Sequence, residues 1–280
     1  MKTSPTRIVL RQTTRFLTLL TFMGVTAAAY ASPVQISVTN HQGEGGFYFT
    51  PVFAAFHDGG FDTFDPGTAA SAELETLAEE GDAAPLIASL GDNADGTARA
   101  STVVTAPQGF PGAPVFDPGD TATQIVDVSD TGTNRYLTLA SMIIPTNDAF
   151  FGNGNPFAYE VFAANGAFNG PIEIRIYGSD IYDSGTEVND GLGAPFSTTG
   201  GTSSDEGGVV ALHVGLDGLI GTQTPAGTTI TSGIGSNELV ATITITDPNA
   251  VPEPTSFTIW GSILLLGLFA RRQSRAKLYA

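Results

Sequence analysis

The sequence has 280 residues, with 11 lysines and arginines against 28 aspartates and glutamates and a formal net charge of -17. Nucleic-acid binding requires clustered cations that displace counterions from phosphates, so this acidic chain does not fit that class of protein. The absence of cysteine excludes a disulfide framework, a thiolate metal site and a cysteine nucleophile. An apolar fraction of 41% is sufficient for a packed core, so the composition indicates a globular, acidic protein rich in turns.

The basic residues are concentrated at the two ends of the chain. Between residues 16 and 270 there are only three arginines, whereas all the acidic residues lie in this part. The central part therefore has a formal charge of about -25. This asymmetry predicts that the ends are targeting segments and that the middle is the folded body.

The first 31 residues have the pattern of a secretion signal. Basic residues precede an apolar run at residues 16–29, and the small residues Ala29 and Ala31 follow it. The run is shorter than the roughly 20 apolar residues of a stable transmembrane helix, which would be the alternative. The sequence therefore predicts cleavage after Ala31 and export of the mature protein.

A second targeting pattern occupies residues 251–280. It consists of a Pro-Glu-Pro motif, a short apolar run and a basic end, formed by Pro252, Glu253, Pro254, residues 255–270, Arg271 and Arg272. This order resembles the PEP-CTERM sorting tail of Gram-negative bacteria, which an exosortase recognises. The resemblance implies transient inner-membrane insertion of the apolar run, cleavage near the motif, and delivery to the cell envelope, cell surface or extracellular matrix. An ordinary carboxyl-terminal anchor is the alternative, because arginines beside an apolar run also fix the orientation of such an anchor.

Residues 32–250 remain as one large domain, and most of its apolar residues alternate with polar ones. The alternation is clearest at residues 34–38, 172–176 and 239–245, where β-branched residues indicate strands with one buried face. Further strands are predicted at residues 47–56, 100–105, 124–128, 135–144, 156–163 and 209–214. Clusters of Gly, Pro, Asn and Asp separate these segments, so the pattern predicts a mainly β protein with an antiparallel sandwich.

Residues 68–90 depart from the alternating pattern. Their apolar residues recur at helical spacing, and Gly81 and Pro85 interrupt the run. Two short helices are therefore predicted, at residues 71–80 and 84–89. The acidic residues of this stretch favour a solvated helix surface over a binding face.

The sequence contains few signs of catalysis. The three histidines, His41, His57 and His213, lie on separate segments without the close pairing that typifies a zinc site. Neither a GxSxG elbow before a helix nor a GxxxxGK[ST] loop is found. These observations favour a protein that is not an enzyme. A glycoside hydrolase with two catalytic carboxylates stays an alternative, since the 28 acidic residues offer many pairs.

An oxygen-rich turn follows the strand predicted at residues 172–176. Residues 177–190 contain four acidic side chains together with amide and hydroxyl groups around Gly185. Hard oxygen ligands in one flexible loop suit calcium, although their spacing is not that of an EF-hand. The same residue types also form ordinary turns, which is the alternative.

Two segments together resemble the spondin N-terminal domain. Residues 139–152 contain Ser-Met-Ile-Ile-Pro-Thr-Asn-Asp, and residues 183–187 read Asp-Ser-Gly-Thr-Glu. In that family a strand ending in Ser-Met-Ile/Val-x-Pro-x-x-Asp precedes a strand ending in Asp-Ala-Gly-Thr-Asp. Residues 49–52 and 77–81 are similar to the family's opening strand and helix, so the resemblance spans about residues 34–246.

This resemblance implies a C2-like β-sandwich that holds calcium at one end through Asp148, Asp183 and Glu187. Glu187 stands where the family commonly has aspartate. The implied function is adhesion or extracellular-matrix attachment by a calcium-binding domain, with exopolysaccharide or another matrix component as partner. The alternatives are a secreted hydrolase of envelope or matrix polysaccharide and a structural coat component without a specific ligand.

Overall fold

A computed structural model of the chain describes residues 31–106, 112–213 and 215–250. The predicted signal peptide, apart from Ala31, and the whole predicted sorting tail lie outside these residues. Within the described ranges, no helix is long and apolar enough to cross a membrane.

The described residues form two antiparallel sheets and two short α-helices. The strands are β1 (Ser32–Asn40), β2 (Tyr48–Phe49), β3 (Val52–His57), β4 (Ala100–Val104), β5 (Thr121–Val128), β6 (Tyr136–Ile144), β7 (Ala149–Gly152), β8 (Ile172–Tyr177), β9 (Ile181–Asp183), β10 (Ala211–Leu212) and β11 (Leu239–Thr246). The smaller sheet has the order β5-β1-β11-β8. The larger sheet has the order β10-β9-β7-β6-β3-β4, and β2 pairs with β6.

The main core lies between the two sheets. Val34, Ile36 and Val38 of β1 are fully buried, whereas the residues between them are half-buried, as expected for a strand with one face on the core. They belong to the same apolar cluster as Phe56 and Leu137 of the larger sheet. The two sheets therefore form a sandwich around one shared core.

The helices cover the outer face of the larger sheet. Helix α1 spans Ala72–Glu80, and helix α2 spans Ala84–Ser89. Leu74 and Leu77 are fully buried, in a second apolar cluster that includes Phe53 and Phe150 of the sheet. Strands of the larger sheet carry apolar residues on both faces, so their sequences are nearly continuous apolar runs.

The predicted mainly β antiparallel sandwich with one or two short helices is confirmed. The strand predicted at residues 156–163 is wrong, because this segment makes only isolated bridges, Tyr136 with Glu160 and Phe162 with Phe168. Asparagine side chains fold it into turns: Asn155 Oδ1 accepts from the Phe157 N–H, and Asn165 Oδ1 accepts from the Ala167 N–H.

Candidate functional site

The first half of the site is the tight turn between β6 and β7. The Thr146 hydroxyl donates to the Ile143 carbonyl and accepts from the Ala149 N–H at 3.0 Å, which closes the turn. Asn147 and Asp148 lie between these anchors, and both are fully buried. The turn therefore brings a carboxylate and an amide inside the protein at one end of the larger sheet.

One oxygen of Asp148 organises the loop that follows β9. Its Oδ2 accepts hydrogen bonds from the Ser184 hydroxyl at 2.9 Å, the Thr186 N–H at 3.0 Å and the Glu187 N–H at 3.1 Å. The other oxygen, Oδ1, is buried and has no hydrogen-bond partner among the described residues. A buried oxygen without a partner is costly, so Oδ1 is a candidate ligand atom.

Asp183, the last residue of β9, faces Asp148. Pairing of Ala149 with Asp183 places it beside the β6–β7 turn. Its carboxylate accepts from the Gly185 N–H and from Asn189 Nδ2, both at 2.7 Å. Burial first, and then the adjacent Asp148 carboxylate, raise the pKa of Asp183 to about 6. This direction is expected for two carboxyl groups that repel each other when both are charged and share a hydrogen bond when Asp183 is protonated.

Asn189 supplies a second oxygen without a partner. Its Nδ2 donates to Asp183, while Oδ1 of the same amide is buried and has no hydrogen-bond partner within the described part of the chain. This oxygen belongs to the amide group that binds the Asp183 carboxylate. Amide and carboxylate oxygens are the donors that hard cations prefer.

Glu187 lies in the same loop, but its carboxylate has a different partner. Its Oε2 accepts from Asn147 Nδ2 at 3.3 Å, while Asn147 Oδ1 accepts from the Gly191 N–H at 2.9 Å. The structure thus brings Asp148 and Asp183 together directly and adds Glu187 through Asn147. In the described ranges, no group of three or more Asp, Glu or His side chains lies close enough together to hold a metal ion.

Gly185 allows the loop to pack closely against the chain before β10. Its φ is +71°, and a Cβ at this position would lie 2.6 Å from the Val209 nitrogen. The Gly208 N–H donates to the Gly185 carbonyl at 2.7 Å. Only glycine fits this conformation and this approach, so the loop shape depends on the Asp-Ser-Gly sequence.

The surroundings of the site are acidic. Glu79 of helix α1 lies near Glu187 and Asp148, and its pKa is raised mainly by burial. Glu206 adds charge near Asp183. The described arginines are paired elsewhere, Arg99 with Asp58, Arg135 with Glu160 and Arg175 with Glu173, so among the described residues no arginine neutralises the site.

His213 is a neighbour of the site that can become cationic. It lies near Asp148, its Nδ1 accepts from the Gly215 N–H at 3.1 Å, and burial lowers its pKa. A histidine with a lowered pKa is neutral at physiological pH, so it does not balance the carboxylates.

The site therefore offers a cation two adjacent carboxylates, those of Asp148 and Asp183, rather than a complete set of three acidic ligands. Three buried atoms of the site lack hydrogen-bond partners among the described residues: the oxygens Asp148 Oδ1 and Asn189 Oδ1 and the nitrogen His213 Nε2. The two oxygens suit calcium, whereas the imidazole nitrogen suits zinc. Asp148, Asp183 and Glu187 were predicted from the sequence, whereas no role was predicted for Asn147, Asn189 and Glu79. Asn189 was detectable as an amide in the oxygen-rich turn, whereas Glu79 is brought close only by the packing of α1.

The fold and these side chains define an antiparallel β-sandwich with an acidic loop site at one end. No family model and no curated protein matches the sequence. The sorting-motif residues Pro252, Glu253, Pro254, Arg271 and Arg272 lie outside the described residues, so their predicted role stays a prediction.

Proposed function

We propose that this protein is an exported calcium-binding β-sandwich of the spondin type that attaches to a cell surface or extracellular matrix. The observation that carries the proposal is the Asp148 carboxylate, which is fully buried, has one oxygen without a partner and lies beside Asp183. Two close carboxylates without a cationic partner destabilise a fold unless a cation neutralises them. The acidic site therefore favours calcium binding.

In this proposal calcium is held by Asp148, Asp183 and Glu187, with the side-chain oxygen of Asn189 as a further donor. Bound calcium supplies positive charge that replaces the missing cationic side chain. Asp148 Oδ2 stays engaged with the backbone of the 184–187 loop. The cation and this carboxylate would thus tie the loop after β9 to the turn before β7, which makes calcium a structural element of one end of the sandwich.

The attachment role rests on the two predicted targeting segments and on the resemblance of residues 34–246 to the spondin domain. The sorting tail supports delivery through an exosortase to the cell envelope or matrix of a Gram-negative bacterium. An acidic body of this kind is poorly suited to nucleic acid, whereas exopolysaccharide and other matrix components are compatible partners. The proposal assigns no catalytic residue.

Calcium-dependent thermal stability tests the cation site. The full chain, freed of metal with a chelator, is melted with and without calcium at about a hundredfold excess over Kd. Binding only to the folded form contributes about 2.7 kcal/mol, which corresponds to a rise in Tm of about 5 to 10 °C. Magnesium should give a smaller rise, because it needs a tight octahedron and releases its waters reluctantly.

Asp183→Asn is the informative variant. It should lose most of the calcium-induced rise, while its metal-free Tm stays equal to or above that of the wild type because repulsion with Asp148 is relieved. Asp127→Asn, at an exposed position of β5, is the matched control and should keep the full rise. Identical calcium responses of wild type and Asp183→Asn would refute the proposed site.

A further inference from the structure

A polar cleft lies at the side of the sandwich, between β8 and the loop that follows β7. Its volume is about 440 Å³, within the range of small-ligand sites. Pro66, Tyr159 and Tyr182 contribute its ring surfaces, and Asn155, Arg175 and Asp180 contribute its polar groups. Gly152 and Gly154 also line the cleft and bring no side chains into it. The cleft therefore combines flat ring faces with hydrogen-bond donors and acceptors.

The tyrosines are positioned with free polar ends. The Tyr182 ring packs edge-on against Phe64, with centroids 4.8 Å apart, and stacks with Phe150. Tyr159 is held through its backbone, since its carbonyl accepts from the Leu137 N–H at 3.0 Å. No described residue makes a hydrogen bond to the hydroxyl of either tyrosine. Both phenols can therefore donate to and accept from a ligand in the cleft.

The charged groups of the cleft are also fixed in place. Asp180 Oδ2 accepts from the Tyr177 N–H at 2.8 Å, which orients the carboxylate at the end of β8. Arg175 Nε donates to Glu173 at 2.6 Å, so its guanidinium is already paired, and half of each side chain is exposed. Glu173, which does not line the cleft, thus partly balances the positive charge of Arg175. An anionic ligand would meet the Asp180 carboxylate beside this already paired guanidinium.

We propose that this cleft binds a neutral oligosaccharide. Sugar hydroxyls both donate and accept, which matches adjacent phenol, amide, carboxylate and guanidinium groups, while the apolar C–H faces of a pyranose ring pack on tyrosine and proline. The inference rests on the proposed attachment function and names its ligand class and its site. Tyr182 of the cleft and Asp183 of the proposed calcium site are consecutive residues of β9, so their side chains point to opposite faces of the strand.

The test uses the full chain and an array of neutral hexose and N-acetylhexosamine oligosaccharides, with anionic polysaccharides for comparison. Wild type should retain at least one neutral oligosaccharide without releasing reducing sugar. Ala158→Trp should weaken retention at least about tenfold, because Ala158 is exposed and lines the cleft, so an indole there fills it from the solvent side. Tyr159→Phe, which removes only a hydroxyl, should weaken it several-fold.

Ala88→Trp is the matched control, since Ala88 is exposed on α2 and does not line the cleft. It should retain the oligosaccharide as wild type does. Equal retention by Ala158→Trp and wild type, retention of anionic polysaccharides alone, or no retention by wild type would each overturn the cleft assignment. The calcium-induced rise in Tm is measured on the same samples. Its absence in wild type would refute the calcium site. A rise that persists in Ala158→Trp while sugar binding is lost would support both the calcium site and the cleft.

Discussion

His57 is a buried histidine whose two ring nitrogens both have partners. It is fully buried at the end of β3. Nδ1 accepts from the Gly59 N–H at 2.9 Å, so Nε2 carries the proton and donates to the Thr138 hydroxyl at 2.9 Å. Protonation of Nδ1 would break the bond to Gly59. Burial, together with the nearby Arg99 charge, lowers the pKa of His57 from 6.5 to about 4, although Asp58 opposes this shift.

This arrangement predicts that stability depends on pH through His57. In the unfolded chain the imidazole binds a proton near pH 6.5, whereas in the folded chain it does so only near pH 4, so acidification favours unfolding. The contribution is complete above pH 6.5 and is lost as the pH falls towards 4. The free energy of unfolding, measured with urea, should fall by about 2 kcal/mol between pH 7 and pH 5 on account of this residue.

His57→Gln isolates this effect from the other titrating groups. Glutamine does not titrate, so the variant should lose about 2 kcal/mol less than wild type between pH 7 and pH 5, whatever its stability at pH 7. Parallel pH profiles of the two proteins would contradict the assignment.

Helix α1 is fixed at both ends by residues that its sequence supplies. The Ser71 hydroxyl accepts from the Leu74 N–H at 3.2 Å, and Gly81 ends the helix in the left-handed conformation at φ +71°. Ser71→Ala should lower the free energy of unfolding by about 1 kcal/mol, because it removes an N-cap. Urea unfolding checks this. Ser71→Asp keeps an acceptor oxygen and should stay within a few tenths of a kcal/mol of wild type; a loss equal to that of alanine would contradict the cap.

The elements that sequence reasoning predicted are those with a strong local signal. The helices at residues 71–80 and 84–89 were predictable from capping and spacing, and β1 and β11 from their long alternation. Strands β7 and β9 were not, because they are only four and three residues long and lie among turn residues. Their pairing through Ala149 and Asp183 depends on contacts distant in sequence.

The candidate site was predictable only in part, because some of its contacts join residues that are distant in sequence. Asp148, Asp183 and Glu187 follow from the resemblance to the spondin domain, and the structure brings the first two together. The contact between Asn147 and Glu187 could not be predicted from local pattern, because it depends on how the 184–192 loop wraps the β6–β7 turn. The approach of Glu79 depends likewise on the packing of α1.

At the scale of the whole molecule, negative charge is the dominant electrostatic feature. The three described arginines are each paired with one acid, and most other acids have no cationic partner in the described ranges. Self-repulsion of this kind destabilises a compact state and is screened by salt. Raising sodium chloride from about 0.01 to 0.1 M shortens the Debye length from roughly 30 to 10 Å and should raise Tm. A Tm that falls over this range would show that self-repulsion of the acidic residues does not limit stability.

Calcium should raise Tm by more than this general screening by salt does. At matched ionic strength it should raise Tm further than sodium chloride, because site binding adds to screening. Equal curves for the two salts would indicate screening alone.

Strand β11 is the last strand of the described chain, yet it lies inside the smaller sheet, between β1 and β8. It pairs with the first strand through contacts such as Gln35 with Thr246, which join opposite ends of the domain. Contacts between such distant residues form slowly, because the intervening loop must close first. Until residue 246 has left the ribosome, β1 and β8 lack the strand that joins them, and the inner core stays open. The smaller sheet therefore cannot be completed until nearly all of residues 32–250 have been synthesised, so its side of the core forms late.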